Sequence, residues 1–422
     1  MSKYKPYPKY KKSGVEWLGD VPEGWKVKRL KHIAKVNLSN VDKKSKDNEQ
    51  PILLCNYTDV YYNDFITSDL SFMKATAKDE QIKKFSLEAG DVIITKDSEG
   101  AEDIAISTYI PETLKGVICG YHLAQIKPKN FNGNYLFRAF NSNGIHDQFK
   151  ISANGITRYA VGKDAISNAF FPVPKQKEQK QISIYLDQKT QKIDTLIKKQ
   201  QTLIKLLKEK RQALISHAVT KGLDDSVDMK DSGVEWLGDV PKRWEQRKLK
   251  FFARIKNGQD QKKVITDNGQ YPIYGSGGEF GRANNYLYNK VSVLLGRKGT
   301  VDKPLFITEP FWTVDTMYFT KINNYTNPRF FYYSCLTIPF TYYQYGSALP
   351  SMTQENLHNH HFIAPPLKEQ KEIAHYLDQK TQKIDTLITK STQAIELLKE
   401  RRTALISAVV TGKVDVREDK NV

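Results

Sequence analysis

The chain has 422 residues, too many for one ordinary domain, and carries 65 Lys and Arg against 47 Asp and Glu, a formal net charge of +18. An excess of that size favours a polyanionic partner, most often nucleic acid. No apolar run approaches the ~20 residues that span a bilayer, and the opening Met-Ser-Lys-Tyr-Lys-Pro-Tyr-Pro-Lys-Tyr holds no hydrophobic signal region. Cys55, Cys119 and Cys335 have no metal-like spacing, which fits a reduced, cytoplasmic chain.

Residues 1–12 read as a mobile basic tail. The first element is Ser13-Gly-Val-Glu-Trp-Leu-Gly-Asp-Val-Pro22, closed by Trp25. Its glycines and proline forbid a helix, so it is expected to be a shaped loop pinned by Trp17 and Trp25. Residues 26–174 read as a mixed α/β domain. Pro51-Ile-Leu-Leu-Cys55 and Asp91-Val-Ile-Ile-Thr95 are short apolar runs between turn signals, hence strands; Gly116–Gly120 and His122–Ile126 are weaker candidates. Tyr135 to Phe140 opens a helix expected to end near Asn143-Gly144.

Next comes Tyr185-Leu-Asp-Gln-Lys-Thr-Gln-Lys-Ile-Asp-Thr-Leu-Ile197, which returns letter for letter at Tyr376–Ile388 (376 − 185 = 191 residues on). Such identity makes the chain an internal repeat, and repeats govern the whole reading of a fold. Leu186, Ile193, Ile197, Ile204, Leu207 and Leu214 line one face of the first copy. Leu377, Ile384, Ile388, Ile395, Leu398 and Leu405 do the same in the second. Sevenfold apolar spacing with Lys, Glu and Gln opposite predicts coiled-coil helices, each running from just after a proline (Pro174, Pro366) to a glycine (Gly222, Gly412). The two are expected to pair antiparallel, with the polar seam residues Gln200 and Ser391 near the middle.

The opening segment also returns, as Ser232–Pro241 closed by Trp244 (232 − 13 = 219 residues on), its loop pinned by Trp236 and Trp244. The second globular stretch, 245–365, is therefore shorter than the first. Val291-Ser-Val-Leu-Leu295 stands where Asp91–Thr95 stood, and Gly296-Arg-Lys-Gly299 where Lys96-Asp-Ser-Glu-Gly100 stood. Phe330–Cys335 matches the helix at Tyr135, and Gly346-Ser-Ala-Leu-Pro350 matches Gly155-Ile-Thr-Arg-Tyr159. One frame carries two divergent inserts.

The chemistry of catalysis is missing. Neither Asn327-Pro-Arg-Phe330 nor Ala364-Pro-Pro-Leu367 is the Asn/Asp-Pro-Pro-aromatic string of an adenine methyltransferase, and no phosphate-binding Gly-x4-Gly-Lys-Ser/Thr loop occurs. Gly275-Ser-Gly-Gly278 lacks the lysine and reads as a turn or a close backbone approach to a ligand. Glu418-Asp-Lys420 lies in a charged tail, and His358, His360 and His361 lack partner cysteines for zinc. Binding is better served. Lys96 and Ser98 follow the central strand of the first stretch, with Arg158 and Tyr159 before its helix. Tyr274 and Arg282 flank the glycine loop of the second, and Arg297 and Lys298 follow its central strand. Lysine and arginine contact phosphates, and arginine also bonds the guanine edge bidentately. The first helix segment, Lys175–Lys221, adds 12 basic and 4 acidic residues, a face that can run over phosphates.

Over nearly its whole length the chain resembles the specificity subunits of type I restriction-modification systems. The marks are the duplicated Ser-Gly-Val-Glu-Trp-Leu-Gly-Asp-Val-Pro segment, Gly90-Asp-Val-Ile-Ile94 and Val291-Ser-Val-Leu-Leu-Gly-Arg-Lys-Gly299. Pro366-Leu-Lys-Glu-Gln370 leads into Tyr-Leu-Asp-x-Lys-Thr and Ile-Asp-x-Leu-Ile, and Pro174-Lys-Gln-Lys-Glu-Gln179 is a looser match in the first copy. The resemblance implies an α+β multidomain fold with an internal pseudo-twofold repeat. In it, target recognition domains at 13–174 and 223–365 are separated by spacer helices at 175–222 and 366–413, with a tail at 414–422. It also implies a non-catalytic chain that reads an asymmetric bipartite site in double-stranded DNA and binds no cofactor. Two modification (methyltransferase) subunits would use S-adenosylmethionine, restriction subunits would use ATP and Mg, and no membrane is involved. Two other classes are set against this: a fused adenine methyltransferase or nuclease, and a coiled-coil scaffold without a DNA role.

Overall fold

The computed structural model describes residues 5–343 and 350–417. Two compact units result: one from residues up to Lys199 together with the stretch from Ala394, the other from Gln200 to Gln393. Gly346–Leu349 and Glu418-Asp-Lys420, singled out above, lie outside the described residues.

In the first unit, Val92–Thr95 is the heart of a four-stranded antiparallel sheet, ordered Ala34–Leu38, Leu123–Pro128, Val92–Thr95, Ser107–Tyr109. Its unbroken apolar run has a simple cause. Side chains alternate across a strand, and here both faces are covered: Val92 and Ile94 meet one core, Ile93 another. Helix Gly133–Phe140 supplies Leu136, Phe137 and Phe140 to the first core. The second core is closed by a three-stranded sheet in which Val117–Cys119 runs parallel and Met73–Ala77 antiparallel to Gln50–Cys55. The helix of Tyr135 ends at Phe140, close to the expected Asn143-Gly144, and Asn143-Gly144 itself opens another, Asn143–Ser152. Glycine is forced at 144 because a Cβ would stand 2.5 Å from the Trp17 ring.

The second unit repeats the plan with different residues. Its sheet is ordered Ala253–Asn257, Met317–Ile322, Ser292–Gly296, Leu305–Ile307, and Val293 and Leu295 face one core while Leu294 faces another. Helix Pro328–Cys335 begins with proline behind an Asn327 cap. A three-stranded sheet of Gly278–Ala283, Tyr271–Gly275 and Trp312–Thr313 completes it.

The two long helices are Gln176–Lys221 and Leu367–Val410. Within the first unit Asp194 accepts from Arg402 (3.0 Å), and Trp25, which donates to Glu178, packs beside Gly412. The start of one helix therefore lies at the end of the other, and they run antiparallel. Within the second unit Arg211 donates to Asp385 (2.9 Å), while Trp244, which donates to Glu369, packs beside Gly222. The direction is again antiparallel. All twelve predicted seam residues are buried or half-buried, as are Gln200 and Ser391 in the second unit. Full burial of such an aliphatic side chain stabilises by about 1.5–3 kcal/mol, and the half-buried ones contribute proportionately less. Gly222 and Gly412 both have positive φ, +90° and +76°, and a Cβ on either would press against its tryptophan or proline neighbour. Helix termination and loop docking thus demand the same residue.

The termini differ from expectation. In the stretch foreseen as a mobile tail, Tyr10–Lys12 pairs with Asp20–Pro22, and Tyr7 is buried against Trp25, its hydroxyl donating to Glu178 (2.8 Å). Val414 and Val416, foreseen in the other tail, join the same core. Backbone pairing and one buried tyrosine suffice to order a segment with almost no apolar signal. Of the four loop tryptophans, Trp25 and Trp244 are buried. Trp17 is half-buried, and Trp236 is partly exposed, stacked on His360 at 5.4 Å.

Candidate nucleic-acid interface

In the first unit the sequence candidates converge. Past Val92–Thr95 the chain continues as Asp97–Ser98, which pairs with Tyr159–Ala160 from the segment before the long helix. Val161 donates its N–H to the Lys96 carbonyl (2.9 Å), which locks the two loops together. Lys96 and Ser98 thus share a site with Arg158 and Tyr159, which lie on a distant segment of the chain. At its centre is a residue the sequence reading passed over. Asp97 accepts from Arg158 Nε (3.1 Å) and Nη2 (2.6 Å) on Oδ1, contacts His122 Nδ1 (2.6 Å) there, and accepts from Lys96 Nζ (3.3 Å) on Oδ2. Lys96 also lies 4.4 Å over the Tyr121 ring, a cation–π contact.

Around this carboxylate lie Tyr57, whose hydroxyl meets Ser98 Oγ (2.9 Å), and Tyr61, whose hydroxyl donates to Asp103 (3.0 Å). Burial raises the Tyr57 phenol above its ordinary range, and the bond to Asp103 raises Tyr61, so both remain protonated donors at neutral pH. Ser98 is itself buried, so it braces Tyr57 rather than facing a ligand.

The second unit pins its loops in the same way. Met352 donates to the Arg297 carbonyl (2.9 Å), Gly299 to Pro350 (2.9 Å), and Lys298 bridges Ser351. Arg297 therefore occupies the place of Lys96, and Lys298 that of Asp97. Arg297 Nη1 donates to the Asp315 carbonyl (3.2 Å), while the Lys298 side chain is exposed. The glycine loop comes alongside: Ser276 N–H donates to Thr316 Oγ1 (3.3 Å), and Arg297 N–H to the Thr316 carbonyl (2.9 Å). Arg282 is half-exposed and paired with Glu279 (3.2 Å) on the hairpin of Tyr271–Gly275 and Gly278–Ala283. Tyr274 belongs to the core: it is 9% exposed and its ring packs edge-on against Phe311. A neutral side chain in a strand beside a glycine turn gave no sign of which face it would take.

At the helix starts the repeat fixes geometry rather than ligands. Gln179 and Gln370 each accept an N–H from the cap residue of a domain helix, Asn132 (2.9 Å) and Asn327 (2.8 Å), and each donates to a proline carbonyl (2.9 Å in both). Asp187 accepts from the buried Arg138 (2.7 Å), and Asp378 accepts from Arg329 and Tyr333 (2.6 Å each). Two identical aspartates thus dock unlike helices. His360 is buried, hydrogen-bonded through Nδ1 to Tyr343 (3.0 Å), and burial lowers it to about 4. His358 and His361 are lowered as well, chiefly by burial. Among the described residues no group of His, Cys, Asp and Glu has the arrangement of a metal site.

Comparison with known proteins agrees with this two-part plan. The family described as "Type I restriction modification DNA specificity domain" matches residues 22–206 and 241–397, most of the chain. The type I restriction enzyme MjaVIII specificity subunit of Methanocaldococcus jannaschii is 23% identical, with 94% of each chain covered. The HsdS subunit of Thermoanaerobacter tengcongensis superposes with a TM-score of 0.54 at 16% identity, over 96% of this chain and 100% of its own. A chain from a structural study of complex assembly and conformational transition of the type I R-M system superposes with a TM-score of 0.73 at 16% identity. There the coverage is 93% of this chain and 99% of the other.

Proposed function

The chain belongs to the family of type I restriction-modification DNA specificity subunits, and from that premise we propose how its two units divide the reading of a target. It is a non-catalytic DNA-recognition subunit with two recognition domains. Each domain reads one half of an asymmetric bipartite site in double-stranded DNA, the first within 13–174 and the second within 223–365. One observation carries this reading: the same pair of loops is pinned by the same backbone bonds in both units, yet Lys96 and Asp97 in one stand where Arg297 and Lys298 stand in the other. A shared frame with unlike side chains suits two readers of two sequences. Lys96, Arg158 and Tyr159 face the first half-site, and Arg282, Arg297 and Lys298 the second.

The spacer helices at 175–222 and 366–413 carry two modification subunits. Leu196 and Leu387, equivalent members of the repeated segment, are 48% and 50% exposed, which offers the same apolar contact twice to two copies of one partner. S-adenosylmethionine belongs to those subunits, and ATP and Mg to restriction subunits. The assembly works in the cytoplasm: the three cysteines are buried and unpaired, and no described helix is long and apolar enough to cross a membrane. Mapping methylated adenines in cells that express the chain with its modification subunit tests the proposal. A bipartite motif with a fixed gap and two unlike halves is expected; a continuous motif would overturn it.

A further inference from the structure

The contacts of Arg158 are unusual for a cation facing DNA phosphates, because its nearest partner is a carboxylate. Asp97 is well buried, its Oδ2 is taken by Lys96, and its Oδ1 holds Nε and Nη2 of Arg158 on one edge of the guanidinium. His122 completes the clamp. Its Nδ1 lies 2.6 Å from Asp97 Oδ1 and 3.0 Å from Arg158 Nη2. A nitrogen that close to a carboxylate must carry the proton and donate, so it takes no hydrogen from the arginine. Among the described residues none takes a hydrogen bond from Nη1, at the other edge of the guanidinium, and 53% of the side chain is exposed.

The loop that carries Arg158 is held equally firmly. Asn154 and Ala160 exchange backbone hydrogen bonds of 3.0 Å, and between them Gly155 adopts φ +145°. A Cβ there would stand 1.9 Å from the Arg158 carbonyl, so only glycine closes the loop. Ile156, 97% exposed, stands at its tip. Although Lys96 and Arg158 together leave the cluster net positive, Asp97 holds from behind a planar donor pair of fixed orientation. That pair matches the neutral O6 and N7 acceptors of guanine, the commonest specific partner of arginine in the major groove.

We propose that Arg158 reads a guanine in the half-site of the first unit, its outer N–H pair aimed by Asp97 at that base's O6/N7 edge. The proposal rests on the DNA-recognition reading above and goes beyond it to a residue and a base. Lys298 at the place of Asp97 leaves the second unit without the device.

The test uses the full chain in complex with its modification subunit and duplexes carrying its mapped motif, with each guanine of the motif replaced in turn by 7-deazaguanine. For the wild type, one position in one half-site should weaken binding about 10- to 100-fold. Arg158→Ala should erase the penalty at that position alone and leave the salt slope unchanged, with wild-type melting behaviour. Asp97→Asn should reduce the same penalty and no other. Uniform weakening by Arg158→Ala across all duplexes, with a salt slope lower by about one, would mark a phosphate contact and overturn the assignment. So would no change at all. If the wild-type complex shows no sequence-specific, salt-dependent binding, the DNA-recognition reading itself fails and takes this one with it.

Discussion

Along the long helices the two units are held by the same residues; at the loops proposed to read DNA they are not. Trp25 with Glu178 and Trp244 with Glu369, Gln179 with Asn132 and Gln370 with Asn327, Asp194 with Arg402 and Asp385 with Arg211 are one set of contacts written twice. The loops share only their backbone bonds. Backbone pairing is indifferent to side chains, so a loop fixed that way can change its surface without losing its place. The comparison separates what carries the frame from what carries the address.

The largest effect should come from exchanging an address whole. Replacing residues 26–170 with the corresponding domain of another family member is expected to change one half of the methylation motif completely and leave the other half and the gap intact. A change in both halves would show that the readers depend on one another. Next in size is breaking the frame by ending the chain after Gly222. Leu186, Ile193, Ile197, Ile204, Leu207 and Leu214 then lose their partner helix, at about 1.5–3 kcal/mol for the buried Leu186 and Ile193 and less for the four half-buried ones. Because the missing seam is nearly a copy of the remaining one, two fragments should pair antiparallel as a twofold dimer. Supplied with its modification subunit, that dimer should methylate a palindromic bipartite motif. Sedimentation giving a soluble monomer, or an asymmetric motif, would contradict this.

Acid should separate the units more gently. His360 is buried in the second unit with its imidazole lowered to about 4 from an ordinary 6.5. Between those values the unfolded chain binds more protons than the folded one, so stability rises with pH and is lost as pH falls from about 6.5 to 4. The full contribution is about 3 kcal/mol. His360→Phe should flatten the pH dependence of the second unit's unfolding. His146, also lowered by burial, should leave a separate dependence in the first. Smallest is the indole latch. Trp25→Phe keeps an aromatic ring but removes a donor to the buried Glu178, at a cost of about 1.5–3 kcal/mol by denaturant unfolding. Trp244→Phe should cost less, since Glu369 is more exposed and retains Arg243 (2.9 Å). Equal costs would mean that burial of the acid does not set the strength of the latch.

Much of the frame was legible in the residues. The long helices run within a residue or two of their proline and glycine signals, and the strands at Asp91 and Val291 are where unbroken apolar runs placed them. Repetition made this possible, since each copy corroborated the other. The edge strand Tyr10–Lys12 was hidden because its partner pays attention to no side-chain pattern: Tyr-Lys-Lys pairs through backbone alone. The proposed reading site was legible in part. Lys96, Arg158, Arg297 and Lys298 were found as cations on loops. Asp97, the residue that organises the first site, was not, because its partners His122 and Arg158 come from distant strands and loops. Ser98 and Tyr274 were placed on the right elements but on their inward sides.

The joining of Lys5 to Asp415 by a backbone hydrogen bond (2.8 Å), and of Tyr10 to Gly412 through the tyrosine hydroxyl (3.0 Å), has a consequence for the order of synthesis. Residues up to Lys199 leave the ribosome long before Ala394, yet they share one compact unit with the segment that begins there. The intervening unit is contiguous and can close as it is made. The first half-reader therefore waits, its helix seam uncovered, while the whole of the second is translated. During that interval the nascent chain depends on its own recognition-domain cores, or on another copy's helix, to keep that seam from water.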